Sequence, residues 1–367
     1  MNVLTNNTMS HKLKNKKGTV FVGLSGGVDS SVSAALLKNE GYKVVGVFIR
    51  TWTPDFIDCT WRSERRDAMR VAAHLDIPFL ECDLEKEYKE GVADYMIREY
   101  KEGRTPNPDV ACNREVKFGA FWKWAKAKGA DYIATGHYAQ NKIQKNSNTL
   151  QMGADPAKDQ SYFLWTLQQE DLAHILFPVG GFKKPYVRKL AEKYGLPTAE
   201  KKDSQGVCFL GPLDMKDFLS HYIHPKKGVV LDRDGMVIGE HDGAVFLTLG
   251  TRHGFTVTKK TATEAPYYVV AKDILKNTVT VSHEKLSLLD TAGSTISLTH
   301  TNWISGIPGS KKYRAQIRYH GEFLPVTIAV TGETSADIIF KKPELVSPGQ
   351  SIVIFDGAVC VGGGVVA

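Results

Sequence analysis

The chain has little of what holds a secreted or membrane-borne protein together. Its five cysteines (Cys59, Cys82, Cys112, Cys208 and Cys360) are odd in number and include no Cys-x-x-Cys. That argues against a disulfide framework or a zinc ribbon and for a cytoplasmic protein with individually placed thiols. No uninterrupted apolar run approaches a membrane span, so no membrane partner is expected. The first 18 residues lack the apolar core of a signal peptide. They carry Lys12, Lys14, Lys16 and Lys17 and read as a flexible leader, residues 1–18. Two common nucleotide motifs are also missing. No Gly-Lys-Ser/Thr follows an apolar strand, and Gly23, Gly26 and Gly27 do not make a Gly-x-Gly-x-x-Gly fingerprint. There is no cluster with metal-ligand spacing, no convincing internal repeat and no low-complexity tract.

What is present is ordinary in bulk and unusual in detail. At 367 residues, 42% hydrophobic and 24% charged, the chain can build two or three domains around sizeable cores. A formal charge of +7 suits a polyanionic partner. The informative stretch is Thr19 to Ser31. Thr19 to Leu24 is apolar and predicts a buried strand, Ser25 to Ser30 is a glycine-rich turn, and Ser31 to Leu37 continues as a helix. A strand, a tight turn and a helix N-terminus make an anion site, because turn N–H groups point outward and the helix dipole favours negative charge. Gly26 and Gly27 allow close backbone approach, and Ser25, Ser30 and Ser31 add hydroxyl donors. Asp29 would repel a bare phosphate, so it is placed either to hold Mg²⁺ or to bind the loop's own N–H groups.

Further along, strands are expected at Lys43 to Ile49, Ile77 to Leu80 and Asp131 to Thr135, with helices at Arg62 to Leu75 and Glu85 to Tyr100. The two prolines of Gly103 to Asp109 argue against helix there, and Asn113 is a candidate N-cap for a following helix that carries Val116, Phe118, Phe121, Trp122 and Trp124. Trp122 and Trp124 read as core. Alternating strands and helices imply a parallel sheet whose strand ends, at Leu24, Ile49 and Thr135, converge with Gly136 and His137 on one cleft. Lys142 to Met152 reads as a hairpin turning at Asn146-Ser147-Asn148, Lys158 to Leu167 and Pro185 to Tyr194 as helices. Seven Lys or Arg crowd Lys183 to Lys202. From about Lys227 short strands and turn signals take over, and β patterns dominate from about Lys285. The expected architecture is α/β. A parallel-sheet pyrophosphate-loop domain over 19–210 precedes a small central β-rich domain over 211–284 and a C-terminal β-barrel over 285–367.

Two thiols stand apart. Cys82, on a short strand, and Cys360, in an apolar run, read as small buried hydrophobes, and Cys59 stays unassigned. Cys112 and Cys208 fall in polar, turn-rich surroundings. Cys112 lies beside the expected helix start, which would favour its thiolate, and Asp109 is three residues upstream, close enough to exchange protons with a substrate there.

Ser-Gly-Gly-Val-Asp-Ser (Ser25 to Ser30) resembles the pyrophosphate loop of ATP pyrophosphatases, which split ATP to AMP and pyrophosphate. Taken with Thr105-Pro-Asn-Pro-Asp-Val-Ala-Cys-Asn-Arg-Glu-Val-Lys-Phe118, Ala134-Thr-Gly-His-Tyr138, Lys158-Asp-Gln-Ser-Tyr-Phe163 and Lys202-Asp-Ser-Gln-Gly-Val-Cys-Phe209, the chain resembles the tRNA-specific 2-thiouridylases over essentially all of its length after the leader. That resemblance implies ATP-dependent thiolation of the wobble uridine of tRNA, with Lys, Glu and Gln acceptors. It implies ATP and Mg²⁺ as cofactors, and a cysteine desulfurase or sulfur-relay protein as donor. Gly23, Leu24, Ser25, Gly26, Gly27, Val28, Asp29, Ser30, Ile49 and Gly136 would bind ATP. Cys112 would be the nucleophile, Cys208 the persulfide carrier and Asp109 the general acid/base. Asn107, Pro108 and Asp109 would meet the target base, and His137, Lys158, Asp159, Gln160, Arg318, Tyr319 and Gln350 the tRNA.

Overall fold

Five strands form the sheet that positions everything else. The computed structural model describes residues 17–57, 61–203, 214–258, 265–284 and 295–367. β1 (Thr19–Gly23) is buried at its three central residues, as expected of a strand covered on both faces. It is followed by α1 (Val28–Asn39), β2 (Lys43–Arg50), α2 (Trp61–His74), β3 (Phe79–Asp83), β4 (Tyr132–Ala134), the hairpin β5 (Ala139–Gln144) and β6 (Ser147–Met152), and β7 (Ile175–Leu176). The order is β3-β2-β1-β4-β7, with every pairing parallel. Chain order reverses beside β1, so the crevice between the carboxyl ends of β1 and β4 is where such a sheet takes a ligand. α1 ends at Gly41, whose φ of +95° lets the chain turn back toward β2.

Local chemistry corrects several expectations. The helix that carries Cys112 begins at Pro108, with Asn107 and not Asn113 as its N-cap. The Asn107 side chain accepts from Val110 N at 3.2 Å, and Pro108 fits the first helical position because its missing N–H is not needed there. The same helix runs on as a π-helical Asn113–Ala120 and then Phe121–Ala127. Lys158 to Leu167 is not an α-helix; only Ser161–Leu164 turns, as a 3₁₀ helix. Asp159 accepts from Gly153 N, Ser161 N and Ser161 Oγ at 2.8–3.1 Å, and this local bonding replaces the helical pattern. The hairpin turns at Lys145-Asn146, where both residues have positive φ, as a two-residue hairpin turn requires.

The central domain is a five-stranded sheet of β8 (Gly228–Leu231), β9 (Val237–His241), β10 (Phe255–Val257), β11 (Tyr268–Asp273) and β12 (Thr278–Ser282), ordered β10-β9-β8-β12-β11. It has its own small core around Val230, Val269 and Val279. The C-terminal strands β13 (Thr295–Trp303), β14 (Tyr313–Gln316), β15 (Leu324–Gly332), β16 (Ser335–Phe340), β17 (Ser351–Asp356) and β18 (Val359–Val366) close into a six-stranded antiparallel barrel through β13–β18 pairing.

The barrel does not stand apart from the parallel-sheet domain. The β5–β6 hairpin joins its sheet, with Gln151 opposite Val359. Val353, Phe355 and Cys360 belong to the same apolar core as Phe21, Ile133 and Trp165. Asn302 Nδ2 donates to the carbonyls of Trp165 and Leu167, and Tyr162 OH to that of Ser351. A second junction lies just before the Cys112 helix. Thr105 N donates to Pro348 O of the barrel at 2.7 Å, and Thr105 Oγ1 meets Thr248 Oγ1 of the central domain at 3.1 Å. Gly103, at φ +76°, leaves no room for a Cβ beside Ile274 of the central domain.

Candidate active site

The turn after β1 folds on its own hydroxyls. Ser25 Oγ lies 3.2 Å from Ser30 Oγ and accepts from Gly27 N at 3.4 Å, and Ser31 Oγ donates to Gly27 O at 2.6 Å. Gly26 has φ +70°, and a Cβ there would lie 2.6 Å from Glu64 O. Gly27 is the N-cap of α1 and brings no side chain to its first N–H groups, leaving the helix end open to an anion. Leu24 and Val28 are buried, so only their backbones can meet a ligand. Gly136, after β4, lies directly against this turn, where a Cβ would be 2.7 Å from Ser30 N. Ile49 at the end of β2 reaches to 3.7 Å from the Cβ position of Gly23. The three strand ends therefore meet, as the alternation of strands and helices implied.

Asp29 is engaged on both oxygens. Lys184 Nζ lies 2.7 and 2.8 Å from them, and Tyr138 OH donates to Oδ1 at 2.8 Å. Lys184 also reaches Asp203 Oδ1 at 2.9 Å, and Asp203 is held by Lys158 at 2.8 Å and Arg188 at 2.6 Å. Burial alone would push the Asp203 carboxyl up, but the bonds from Lys158 and Lys184 outweigh it and hold its pKa at about 2. Three cations thus surround two carboxylates beside the phosphate turn. Sequence reasoning did not single out Tyr138, Lys184 or Asp203. Lys184 was one of seven basic residues in a run, and nothing in that run distinguished the one that turns inward.

Cys112 is the fifth residue of its helix and fully buried, in place of the polar loop expected. The helix dipole fades within its first turn, so the N-terminus acts on Asp109 more than on Cys112. Further along, Phe121 of the same helix comes to 3.8 Å from the Cβ position of Gly23, tying the thiol helix to the phosphate-loop strand. Cys208 and Cys59 lie outside the described residues. Cys82 and Cys360 are buried, and burial pushes the Cys82 thiol up to about 12 and the Cys360 thiol higher still, as inert core cysteines require.

The residues expected to meet tRNA divide into two groups. His137 is buried between Phe118 and Phe177, with Nδ1 2.8 Å from Thr135 Oγ1; burial, helped by Lys117, drives its pKa well below the usual range. Gln160 Oε1 accepts from Tyr138 N, and Lys158 is paired with Asp203. Asp159 is buried among its three hydrogen bonds, and burial raises its pKa despite them. In the barrel, the Tyr319 ring lies tilted against that of Phe163, centroids 4.4 Å apart; burial and the negative charges of Asp159 and Asp109 raise its phenol to about 12. Tyr319 thus packs on the 3₁₀ turn Ser161–Leu164, which itself lies against the helix that bears Cys112. Gln350 follows Gly349, whose Cβ position would lie 3.0 Å from Thr105 N, two residues before Asn107.

A parallel-sheet domain with an open helix N-terminus at its switch point, followed by two β domains, is the three-part architecture that comparison with known families recognises. Residues 18–212 match the profile described as tRNA methyl transferase HUP domain, 216–283 the tRNA methyl transferase PRC-barrel domain and 294–366 the aminomethyltransferase beta-barrel domain. The chain is 43% identical over 361 residues to the tRNA-specific 2-thiouridylase MnmA of Enterococcus faecalis, covering 96% of each chain. It is 44% identical over 364 residues to that of Streptococcus thermophilus, again over 96% of each. To MnmA 2 of Geobacillus kaustophilus it is 42% identical over 354 residues, covering 95% of this chain and 94% of the relative. The chain belongs to the tRNA-specific 2-thiouridylase family, a family of ATP-binding tRNA sulfurtransferases.

Proposed function

We propose that this protein replaces the 2-oxygen of the wobble uridine of tRNA with sulfur, in the cytoplasm, at the expense of ATP. One observation carries the reading most directly. The helix that bears Asp109 and Cys112 packs its Phe121 against the strand before the glycine-rich turn, while the loop just before that helix lies against Gly349 of the barrel. This supports a reading in which nucleotide, thiol and RNA-facing surface belong to one body.

In the proposed reaction the uridine 2-oxygen attacks the α-phosphorus of ATP and pyrophosphate leaves. The α1 N-terminus and the cations around Asp29 stabilise the charge that develops on it. Magnesium, when bound, would supply further charge neutralisation. Asp29 is the carboxylate suited to it, since that ion favours one or two carboxylates plus substrate phosphates and Asp29 already holds a cation, the Lys184 ammonium. Among the described residues there is no group of three or more His, Cys, Asp or Glu that could hold a metal. A persulfide on Cys208, loaded by a desulfurase or sulfur-relay protein, attacks C2 of the adenylated base and AMP leaves. Cys112 then attacks Cys208 Sγ, breaking the S–S bond, leaving the outer sulfur on C2 and forming a Cys112–Cys208 disulfide. If Cys112 attacks first, hydrosulfide is released beside the base and the same disulfide results. Thiol reductant resets the pair. Asp109 exchanges the protons. Among the described residues no helix is long and apolar enough to cross a membrane.

The test is mass spectrometry of tRNA nucleosides after incubation of the protein with tRNA, ATP, Mg²⁺ and sulfide. A new 2-thiouridine with matching pyrophosphate release is expected. ATP turnover to AMP without tRNA would favour a synthetase acting on a small metabolite, and absence of pyrophosphate release with tRNA would mean a nucleotide site that does no chemistry.

A further inference from the structure

Lysine is among the residues least often buried, and it is buried only when paired. Lys184 is 8% exposed. It opens the ten-residue helix Lys184–Lys193, its backbone N donates to Asp155 Oδ2 at 2.8 Å, and the Tyr138 ring lies 5.8 Å from its ammonium. Taking an ammonium out of water is costly, and a partner that is needed elsewhere is a poor reason to do so. Asp203 already has Lys158 and Arg188, so it does not require Lys184. Asp29 is the partner to which the Lys184 ammonium donates on both carboxylate oxygens, and Asp29 stands in the first turn of α1 at the glycine-rich turn itself. The groups facing the ammonium are Asp29 and Tyr138 from the nucleotide side and Asp203, with its own two cations, from the other. With the Asp155 carboxylate on the Lys184 backbone N, the cluster holds three cations and three carboxylates next to an open helix N-terminus. An incoming polyphosphate competes with those carboxylates for the Lys184 ammonium.

We propose that Lys184 is a binding residue for the triphosphate, held on Asp29 in the nucleotide-free protein and handed to the phosphates when nucleotide enters. The transfer releases the Asp29 carboxylate at the moment a second cation is needed there. Asp203 stays anchored through Lys158 and Arg188, so the helix end does not move with the charge. This rests on the reading that the turn after β1 binds ATP.

The test uses the full-length protein and calorimetric titration without tRNA, with ATP and separately with adenosine. Lys184→Met is expected to weaken ATP binding about 10- to 100-fold, the range for a lost hydrogen bond to a charged group, and to leave adenosine binding unchanged. Lys184→Arg is expected to recover most of the ATP affinity. Asp203→Asn removes a carboxylate that competes for the same ammonium and is expected to tighten ATP binding, the opposite of what damaged packing would do. Unchanged ATP affinity in Lys184→Met, or parallel loss of ATP and adenosine, overturns the proposal. Should that variant fail to fold, Asp203→Asn decides: weaker or unchanged ATP binding overturns it. A wild-type protein that binds no ATP defeats the nucleotide reading itself, and that result is read on the wild type alone.

Discussion

Around Asp29 the chain gathers three cations and two carboxylates; around Cys112 it gathers Val110, Ala111, Val116 and Phe118. The two neighbourhoods are held by different physics. The phosphate side is built from charges that can exchange partners, because Lys184 and Arg188 each have more than one oxygen within reach. The thiol side is built from close-packed apolar groups that have no such freedom. A site that binds and releases a polyanion needs the first arrangement. A buried sulfur that must be presented in one place is served by the second.

If that division of labour holds, breaking one side should leave the other working. The largest effect is expected from Cys112→Ser, which should lower 2-thiouridine formation by on the order of 10³-fold or more while pyrophosphate release with tRNA continues. Asp29→Ala should lose pyrophosphate release, and with it thiolation, while tRNA binding persists. Nucleoside mass spectrometry and a coupled pyrophosphate assay separate the two variants, and loss of pyrophosphate release in Cys112→Ser would mean that the two halves are not independent.

A smaller effect is expected where the thiol helix meets its neighbours. Glu99, almost buried, takes two hydrogen bonds from Arg104 at 2.6 and 2.8 Å, which hold its carboxyl below the usual range. Arg104→Met would strand that carboxylate. The loss should be on the order of 2 kcal/mol, less than for a fully buried pair because the Arg104 side chain is 35% exposed. Denaturant unfolding should show it, and thiolation should fall together with stability and not separately from it. The Glu99 contribution is present above the ordinary carboxylate pKa and is lost as pH falls through the lowered one. Below that range wild type and variant should converge.

The smallest effect sharpens the contrast with the central domain, which holds neither site. Lys272 donates to Leu247 O at 2.7 Å, and burial lowers its pKa to about 8. Between about pH 8 and the ordinary lysine value near 10.4 the folded protein binds fewer protons than the unfolded chain, so stability rises with pH across that window. Lys272→Met should remove that rise and, at pH 7, raise the melting temperature by about 2–4 °C without changing thiolation. A calorimetric pH series checks both, and an unchanged alkaline slope would show that Lys272 is not the group responsible.

The order of elements was legible because it rests on local pattern. An apolar Thr19 to Leu24, a glycine-rich turn and a helix announce themselves over a dozen residues, and alternation of strands with helices leaves few topologies for a parallel sheet. The convergence of Ser25 to Ser30 with Ile49 and Gly136 followed from the same rule. Where reading failed, a distant or side-chain partner had decided. Asn107 and Asn113 are equally good caps by type, and only the bond to Val110 chooses between them. The segment Lys158 to Leu167 has helical spacing, but the bonds of Asp159 to Gly153 and Ser161 are worth more to the chain there than the helix.

The sequence by itself pointed to the class of chemistry: a glycine-rich strand–helix turn, two thiols in distinctive motifs and a two-part β extension, because each is a matter of residue type at short spacing. Only the tertiary structure decided which charges serve the turn. Lys184 lies 155 positions from Asp29, in a run where seven basic residues look alike. It is the packing of its helix against α1 that turns this one inward. The same holds for the barrel, whose β17 and β18 share a core with β1 and whose Tyr319 packs on Phe163. Contacts of that kind come from surfaces that meet after the chain has folded, and no local periodicity encodes them.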